Sequence, residues 1–220
     1  MEARRFDPTT TEVSVDLDRV RLPGLLLEAG QPAGAVVFAH GSRSSRLSPR
    51  NRAVADPLTE RGLTSLLFDL LTPEEEADRA NVFDIPLLAK RLLGATAWLR
   101  GQPRMSELPV GYFGASTGAA AALVAAAELG DEVAAVVSRG GRPDLAGEAL
   151  ERVTAPTLLI VGGHDDVVLG MNREAQARLR CPNRLDVVPE ATHLFEEPGA
   201  LERVAELASD WLTEHVAGRG

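Results

Sequence analysis

Apolar and polar positions alternate through Glu12, Val13, Ser14, Val15, Asp16 and Leu17, and a second apolar stretch, Leu22-Pro23-Gly24-Leu25-Leu26-Leu27, follows at once. A period of two sends successive side chains to opposite faces, so this opening predicts one or two exposed, antiparallel strands. After the Gln31-Pro32 turn the pattern changes to short apolar runs: Ala35 to Ala39, Leu63 to Phe68, Val110 to Phe113, Val133 to Val137, Leu158 to Val161 and Leu185 to Val188. Such runs suit strands covered on both faces. Helical patterns lie between them. The clearest places Ile85, Leu88, Leu92, Ala95 and Leu99 on one stripe, with Asp84 as N-cap and Pro86 in the first turn. The last repeats the design with Val204, Leu207, Ala208, Trp211 and Leu212 inward, and Glu202, Arg203, Glu206 and Asp210 toward water. Glu74-Glu75-Glu76, following Pro73, predicts a helix start, where carboxylates complement the positive end of the dipole. Buried strands alternating with amphipathic helices imply right-handed crossovers. The predicted class is α/β, a mostly parallel doubly wound sheet with an antiparallel N-terminal edge.

Length and composition narrow the picture. A chain of 220 residues, with no internal repeat or low-complexity linker, predicts a single domain over 1–220. A hydrophobic fraction of 45% and a charged fraction of 25% belong to an ordinary globular chain rather than a disordered or fibrous one. The net charge of −9 sets up a field that repels nucleic acid and anionic membranes, so neither is expected as a partner. Cys181 is the only cysteine, which leaves no internal disulfide and no zinc cluster and predicts a reducing, cytoplasmic setting. The segment Met1 to Thr10 carries charge without an apolar core behind it, so no secretory leader is expected. The longest apolar run, Ala119 to Ala127, is about half of the roughly 20 residues that cross a bilayer, so no membrane span is expected.

Candidate chemistry concentrates in Gly114-Ala115-Ser116-Thr117-Gly118, placed between the Val110 to Phe113 run and the helix-forming Ala119 to Val124. G-x-S-x-G between a buried strand and a helix is the context of a nucleophile elbow, a strained turn that lifts the serine hydroxyl above the sheet. The flanking glycines let neighbouring backbone pass close by. A serine hydroxyl needs a general base, and the chain supplies the order serine, acid, histidine. The acidic loop Gly162-Gly163-His164-Asp165-Asp166 follows one apolar run, and Pro189-Glu190-Ala191-Thr192-His193 follows another. Loops after the carboxyl ends of parallel strands share one rim, so Ser116, the acid and His193 can meet there. Asp165 is preferred over Asp166, which is more readily left facing solvent, but the spacing leaves both open. His40 is expected to hold its loop through a structural hydrogen bond, and His164 and His215 to lie at the surface. Two backbone amides should receive the developing oxyanion: Thr117, after the nucleophile, and Ser42, in His40-Gly41-Ser42. Cys181 reads as a small buried hydrophobe.

These motifs resemble the α/β-hydrolase superfamily and, within it, the dienelactone hydrolase family, from about Ala35 to Trp211. The resemblance rests on Val37 to Ser42, Gly114 to Gly118, Leu158 to Asp165 and Ala191-Thr192-His193. It implies a lidless hydrolase of small esters or lactones that needs no cofactor and no metal. Ser138 to Asp144, with Ser45 to Arg52, is similar to a subgroup found fused to phosphoribosyltransferase domains, and no such domain is expected within these residues. Dienelactone hydrolases proper carry a cysteine nucleophile where this chain has Ser116, which argues against dienelactone itself as substrate. Arg43, Arg46, Arg50 and Arg52 follow the proposed oxyanion loop and Arg139 and Arg142 follow another strand's carboxyl end, so six arginines are expected to gather on the rim, and Arg46 and Arg139 are the candidates for binding an anionic substrate. The competing explanation is a chain that uses arginine nearly everywhere, with Lys90 its only lysine. Thioester cleavage, acyl transfer and a non-catalytic binding role on the same scaffold stay open, as does the oligomeric state.

Overall fold

A computed structural model describes residues 9–219. Most of the Met1 to Thr10 segment therefore lies outside the described residues. Strands β1 (Thr9–Leu17) and β2 (Val20–Glu28) form an antiparallel hairpin, Leu17 pairing with Val20 across the Asp18-Arg19 turn. Then come β3 (Gly34–Ala39), α1 (Pro49–Glu60), β4 (Leu63–Phe68), the short helices α2 (Pro73–Ala77) and α3 (Arg79–Val82), α4 (Ile85–Arg100), β5 (Val110–Ala115) and α5 (Thr117–Leu129). The chain closes with β6 (Val133–Arg139), a 3₁₀ segment (Pro143–Arg152), β7 (Thr157–Gly162), α6 (Asp166–Arg178), β8 (Asn183–Val188) and α7 (Ala200–His215).

The eight strands form one sheet in the order β1-β2-β4-β3-β5-β6-β7-β8. Only β1 with β2 and β2 with β4 pair antiparallel, and all other neighbours run parallel. This is the mostly parallel, doubly wound sheet with an antiparallel N-terminal edge that the alternation predicts, in the arrangement that the resemblance to α/β-hydrolases implies. Helices α1 and α7 bury Val54, Leu58, Val204 and Trp211 against one face of the sheet, where they meet Phe38, Phe113 and Ile160. Helices α4, α5 and α6 cover the other, with Leu88, Leu92, Leu123 and Ala175 packed on Val37, Tyr112 and Leu159. Asp84 caps α4 by accepting the Leu87 N–H, and Thr72 and Glu75 form a reciprocal capping box at α2. Between β6 and β7, where a lid domain would be inserted, only the 3₁₀ segment stands.

Two sequence expectations are modified. Strand β2 is not exposed: Leu22, Leu26 and Leu27 are buried, because β2 lies between β1 and β4 rather than at the edge. Strand β8 is half-exposed instead of covered on both faces, because it is the edge. Arg50 and Arg52, which follow the Ser42 loop, stand in the first turn of α1, behind the Ser48 hydroxyl that accepts the Asn51 N–H. The buried stripe of α1 is only Val54, Ala55 and Leu58 besides Asn51 and Thr59, too sparse to mark a helix by periodicity.

Candidate active site

Ser116 sits between β5 and α5 at φ 51° and ψ −120°, a conformation that L-residues avoid. Close packing imposes it. A Cβ on Gly118 would lie 2.2 Å from the Ala39 carbonyl oxygen, and one on Gly114 would lie 2.5 Å from the Ala119 Cα, so the spaced glycines let α5 drop directly onto β3 and β5. Gly41 closes over the turn, its hypothetical Cβ only 2.9 Å from the Ser116 Cβ. The backbone is clamped from the β6 side as well: the Ser116 N–H donates to Arg139 O at 3.2 Å, and the Arg142 N–H donates to Ser116 O at 3.1 Å. The Ser116 side chain makes no capping bond to α5.

The acidic and histidine loops, after β7 and β8, are zipped together through their backbones. The Gly163 N–H donates to Val188 O and the His164 N–H to Ala191 O, at 2.8 and 2.9 Å, and a Cβ on Gly162 would collide with Ala191 O at 2.3 Å. Asp165 occupies the N-cap position of α6 without a side-chain bond to the helix, and its Oδ2 lies 2.6 Å from His193 Nδ1. Asp166, one residue on, is exposed. His193 itself is partly exposed, and its Cε1 approaches Gly140, whose hypothetical Cβ would be 3.5 Å away. Gly140 joins Arg139, which holds the Ser116 N–H, to the Gly141-Arg142 segment that holds the Ser116 carbonyl. Imidazole and elbow therefore flank one short turn. Among the described residues five non-glycines have positive φ, and four of them, Arg43, Ser116, Glu190 and Phe195, lie in these loops and the one after β3. Backbone strain is concentrated here.

The loop after β3 is anchored by His40. Its Nε2 accepts the Leu70 N–H at 3.0 Å, so Nδ1 carries the proton and donates to Gly41 O at 2.9 Å. Burial pushes the His40 pKa below the ordinary value, against the opposing bond to Gly41 and the carboxylates of Asp69 and Glu76. A neutral ring with both nitrogens engaged is a strut between the β3 and β4 loops. The Ser42 N–H is also engaged, donating to Thr117 Oγ1 at 3.1 Å. His164 is exposed beside Glu190, whereas His215 is partly buried, its ring against Trp211 and its Nδ1 at the Trp211 carbonyl.

Neither candidate arginine stands free on the rim. Arg46 binds Asp69 twice, through its backbone N–H at 2.7 Å and Nη1 at 2.6 Å. Arg139 is 7% exposed beneath the histidine loop, its guanidinium 5.9 Å from the centre of the Phe195 ring, with a 3.4 Å contact to Asn51. Its Nε has no partner. Burial, reinforced by the charge of Arg50, pushes its pKa down to about 10. Arg50, Arg52 and Arg142 pair with Glu196, Asp56 and Asp144.

A cavity of about 170 Å³ opens beside Ser42 and Thr117, between the β3 and β4 loops and the α2–α4 region. Asp69, Leu70, Val82 and Leu88, which line it, were not singled out by motif. The signal for Asp69 was nonetheless in the sequence, since it directly follows a strand's carboxyl end, as the Ser42 and Asp165 loops do. Cys181 is buried, its thiol pushed up in pKa by desolvation. Among the described residues no group of three or more His, Cys, Asp or Glu side chains is arranged to hold a metal ion, and no helix is long and apolar enough to cross a membrane.

Residues 26–215 match the model of the dienelactone hydrolase family. A crystal structure of a dienelactone hydrolase from Anabaena variabilis superposes with a TM-score of 0.91 at 56% identity, covering 95% of this chain and 99% of that one. The esterase Est1E from Butyrivibrio proteoclasticus shares the fold, with a TM-score of 0.80 at 16% identity over 94% of this chain and 99% of its own. A Mycobacterium tuberculosis H37Rv protein bearing the name "Putative phosphoribosyl transferase" is 63% identical over 209 residues, 95% of this chain and 47% of that protein. The chain thus spans about half the length of the curated relatives it matches.

Proposed function

The chain belongs to the dienelactone hydrolase family, and from that premise we propose that it is a serine hydrolase of small carboxylic esters or lactones, working through an acyl-enzyme on Ser116. The observation that carries the reading is the 2.6 Å contact between His193 Nδ1 and Asp165, made against the Arg139–Arg142 turn that holds the backbone of a serine at φ 51°. With Nδ1–H donated to the carboxylate, Nε2 is the nitrogen left to accept a proton. Ser116 Oγ attacks the carbonyl carbon as its proton passes to His193 Nε2, and Asp165 orients the ring and stabilises the imidazolium. The oxyanion is received by the amide of Thr117, whose N–H at the first position of α5 has no intrahelical acceptor, and by that of Ser42, which exchanges Thr117 Oγ1 for it. His193 returns the proton to the leaving group. A water, deprotonated by the same ring, then attacks the acyl-enzyme and frees Ser116 with release of the acid.

The two candidate arginines support this machinery rather than grip substrate. Arg46 ties the Ser42 loop to Asp69, and Arg139 supports the histidine loop from below through Phe195. The test is a fluorophosphonate probe with intact-mass readout, alongside hydrolysis of short p-nitrophenyl esters. One adduct on the wild type, none on Ser116→Ala, and a fall in kcat of at least about 10⁴-fold for Ser116→Ala, His193→Ala and their pair alike are expected. A wild type that neither labels nor turns over would leave a binding module on a hydrolase scaffold. Faster transfer to added alcohols than to water would redirect the reading to acyl transfer.

A further inference from the structure

We infer that the cavity between the β3 and β4 loops receives the acyl part of the substrate, and that the tail it selects is uncharged, apolar and about six carbons or shorter. The inference rests on the proposed roles of Ser116 and His193. Position gives the assignment. The cavity shares Ser42 and Thr117 with the proposed oxyanion site, yet no residue of the histidine loop lines it. A leaving group must lie within reach of His193 to take its proton, so a space beyond the oxyanion amides and apart from that loop falls to the acyl side of the carbonyl.

Size sets the limit. A cavity of about 170 Å³ compares with the roughly 150 Å³ that admits one benzene ring. Its floor is apolar: Leu70 and Leu88 are buried, and Val82 and Leu71 complete the wall. Charge sets the chemistry. Of the four ionic side chains around it, Arg43 and Arg46 are matched by Asp69 and Glu76, and the Arg46 charge is already spent on Asp69 at 2.6 Å. A substrate carboxylate entering here would lose water, meet two carboxylates and find only the exposed Arg43 without an ion pair among the described residues. The approach is apolar too. Of the five exposed large apolar side chains among the described residues, Leu47 and Phe83 adjoin cavity residues, while Leu194 and Val167 stand within two residues of His193 and Asp165.

The experiment measures kcat/KM of the whole chain on p-nitrophenyl acetate, butyrate, hexanoate and decanoate, and on p-nitrophenyl hemisuccinate as the charged counterpart of butyrate. Wild type is expected to gain about fourfold per added methylene up to hexanoate, to fall at decanoate, and to prefer butyrate over hemisuccinate by at least about tenfold. Val82→Trp, which fills the cavity, should lower the hexanoate-to-acetate ratio at least about tenfold, and Val82→Ala should move the optimum toward longer chains. Ratios unchanged in both Val82 variants, or hemisuccinate hydrolysed as well as butyrate, would overturn the acyl assignment while leaving the hydrolase reading intact. No turnover and no fluorophosphonate adduct on the wild type would overturn both.

Discussion

At φ 51° and ψ −120°, Ser116 occupies backbone territory that costs an L-residue about 1–3 kcal/mol and costs glycine little. That strain is repaid only if the hydroxyl is used. Ser116→Gly is therefore expected to abolish labelling and turnover while raising Tm, by about 2–4 °C for each kcal/mol relieved in a chain of this size. A drop in Tm on calorimetry would mean that the elbow is not strained. Arg139 poses the same exchange in charge. Its pKa is lowered to about 10 by burial and by Arg50, so it is charged in both folded and unfolded chains at neutral pH, and the folded state carries the full desolvation cost there. Arg139→Met, of similar length and apolar, is expected to be more stable by about 1–3 kcal/mol in urea titration. It should also lose kcat/KM, because the ring of Phe195, next but one to His193, loses the cation beneath it. Stability and activity falling together would show the guanidinium to be a net stabiliser.

Among elements, the loops after β3 and β4 are the ones whose mutual position builds the proposed oxyanion site and the cavity, and the His40 ring joins them alongside the Arg46–Asp69 pair. His40 accepts the Leu70 N–H only while neutral at Nε2. Its folded pKa lies below the ordinary value, so the unfolded chain takes up the proton first. The stabilisation it contributes is complete above about pH 6.5 and is lost as pH falls through the lowered folded value. His40→Gln keeps an acceptor for Leu70 without a titration. Its Tm should fall less steeply than that of wild type between pH 7 and pH 5, with the other histidines common to both. Parallel pH profiles would place the acid lability elsewhere. The glycines of the elbow act at this scale also, since Gly114 and Gly118 set the distance at which α5 meets β3 and β5. The motif marked them, and the strand and helix around it gave the motif its meaning.

At the scale of the molecule, the sheet is continuous from β1 to β8, with a core on each face built from distant parts of the chain. Helices α1 and α7, far apart in sequence, share one of those cores, so neither end of the chain completes its packing alone. We expect one calorimetric transition with equal calorimetric and van't Hoff enthalpies. Two resolved transitions would divide the chain into separate units. The net charge of −9 is spread over a surface where most arginines near the site are already paired with carboxylates. Arginine count alone therefore overstates how much positive charge the rim presents. The exposed apolar residues around the site, Leu47, Phe83, Val167 and Leu194, were invisible as a group because they come from four separate segments.

The strands, the helices α4, α5 and α7, their alternation and the elbow motif were legible in sequence because each depends on local periodicity or on residues a few positions apart, whereas the sparse stripe of α1 was not. The sequence favoured Asp165 while the spacing left Asp166 open; at the start of α6 the first meets His193 and the second faces water. Burial of β2 and exposure of β8 likewise followed from neighbours that only the tertiary fold supplies. The arginines show the division most clearly. Sequence determines that a guanidinium is present, but its availability to a ligand depends on whether a carboxylate or a covering loop reaches it first, and those come from positions tens of residues away.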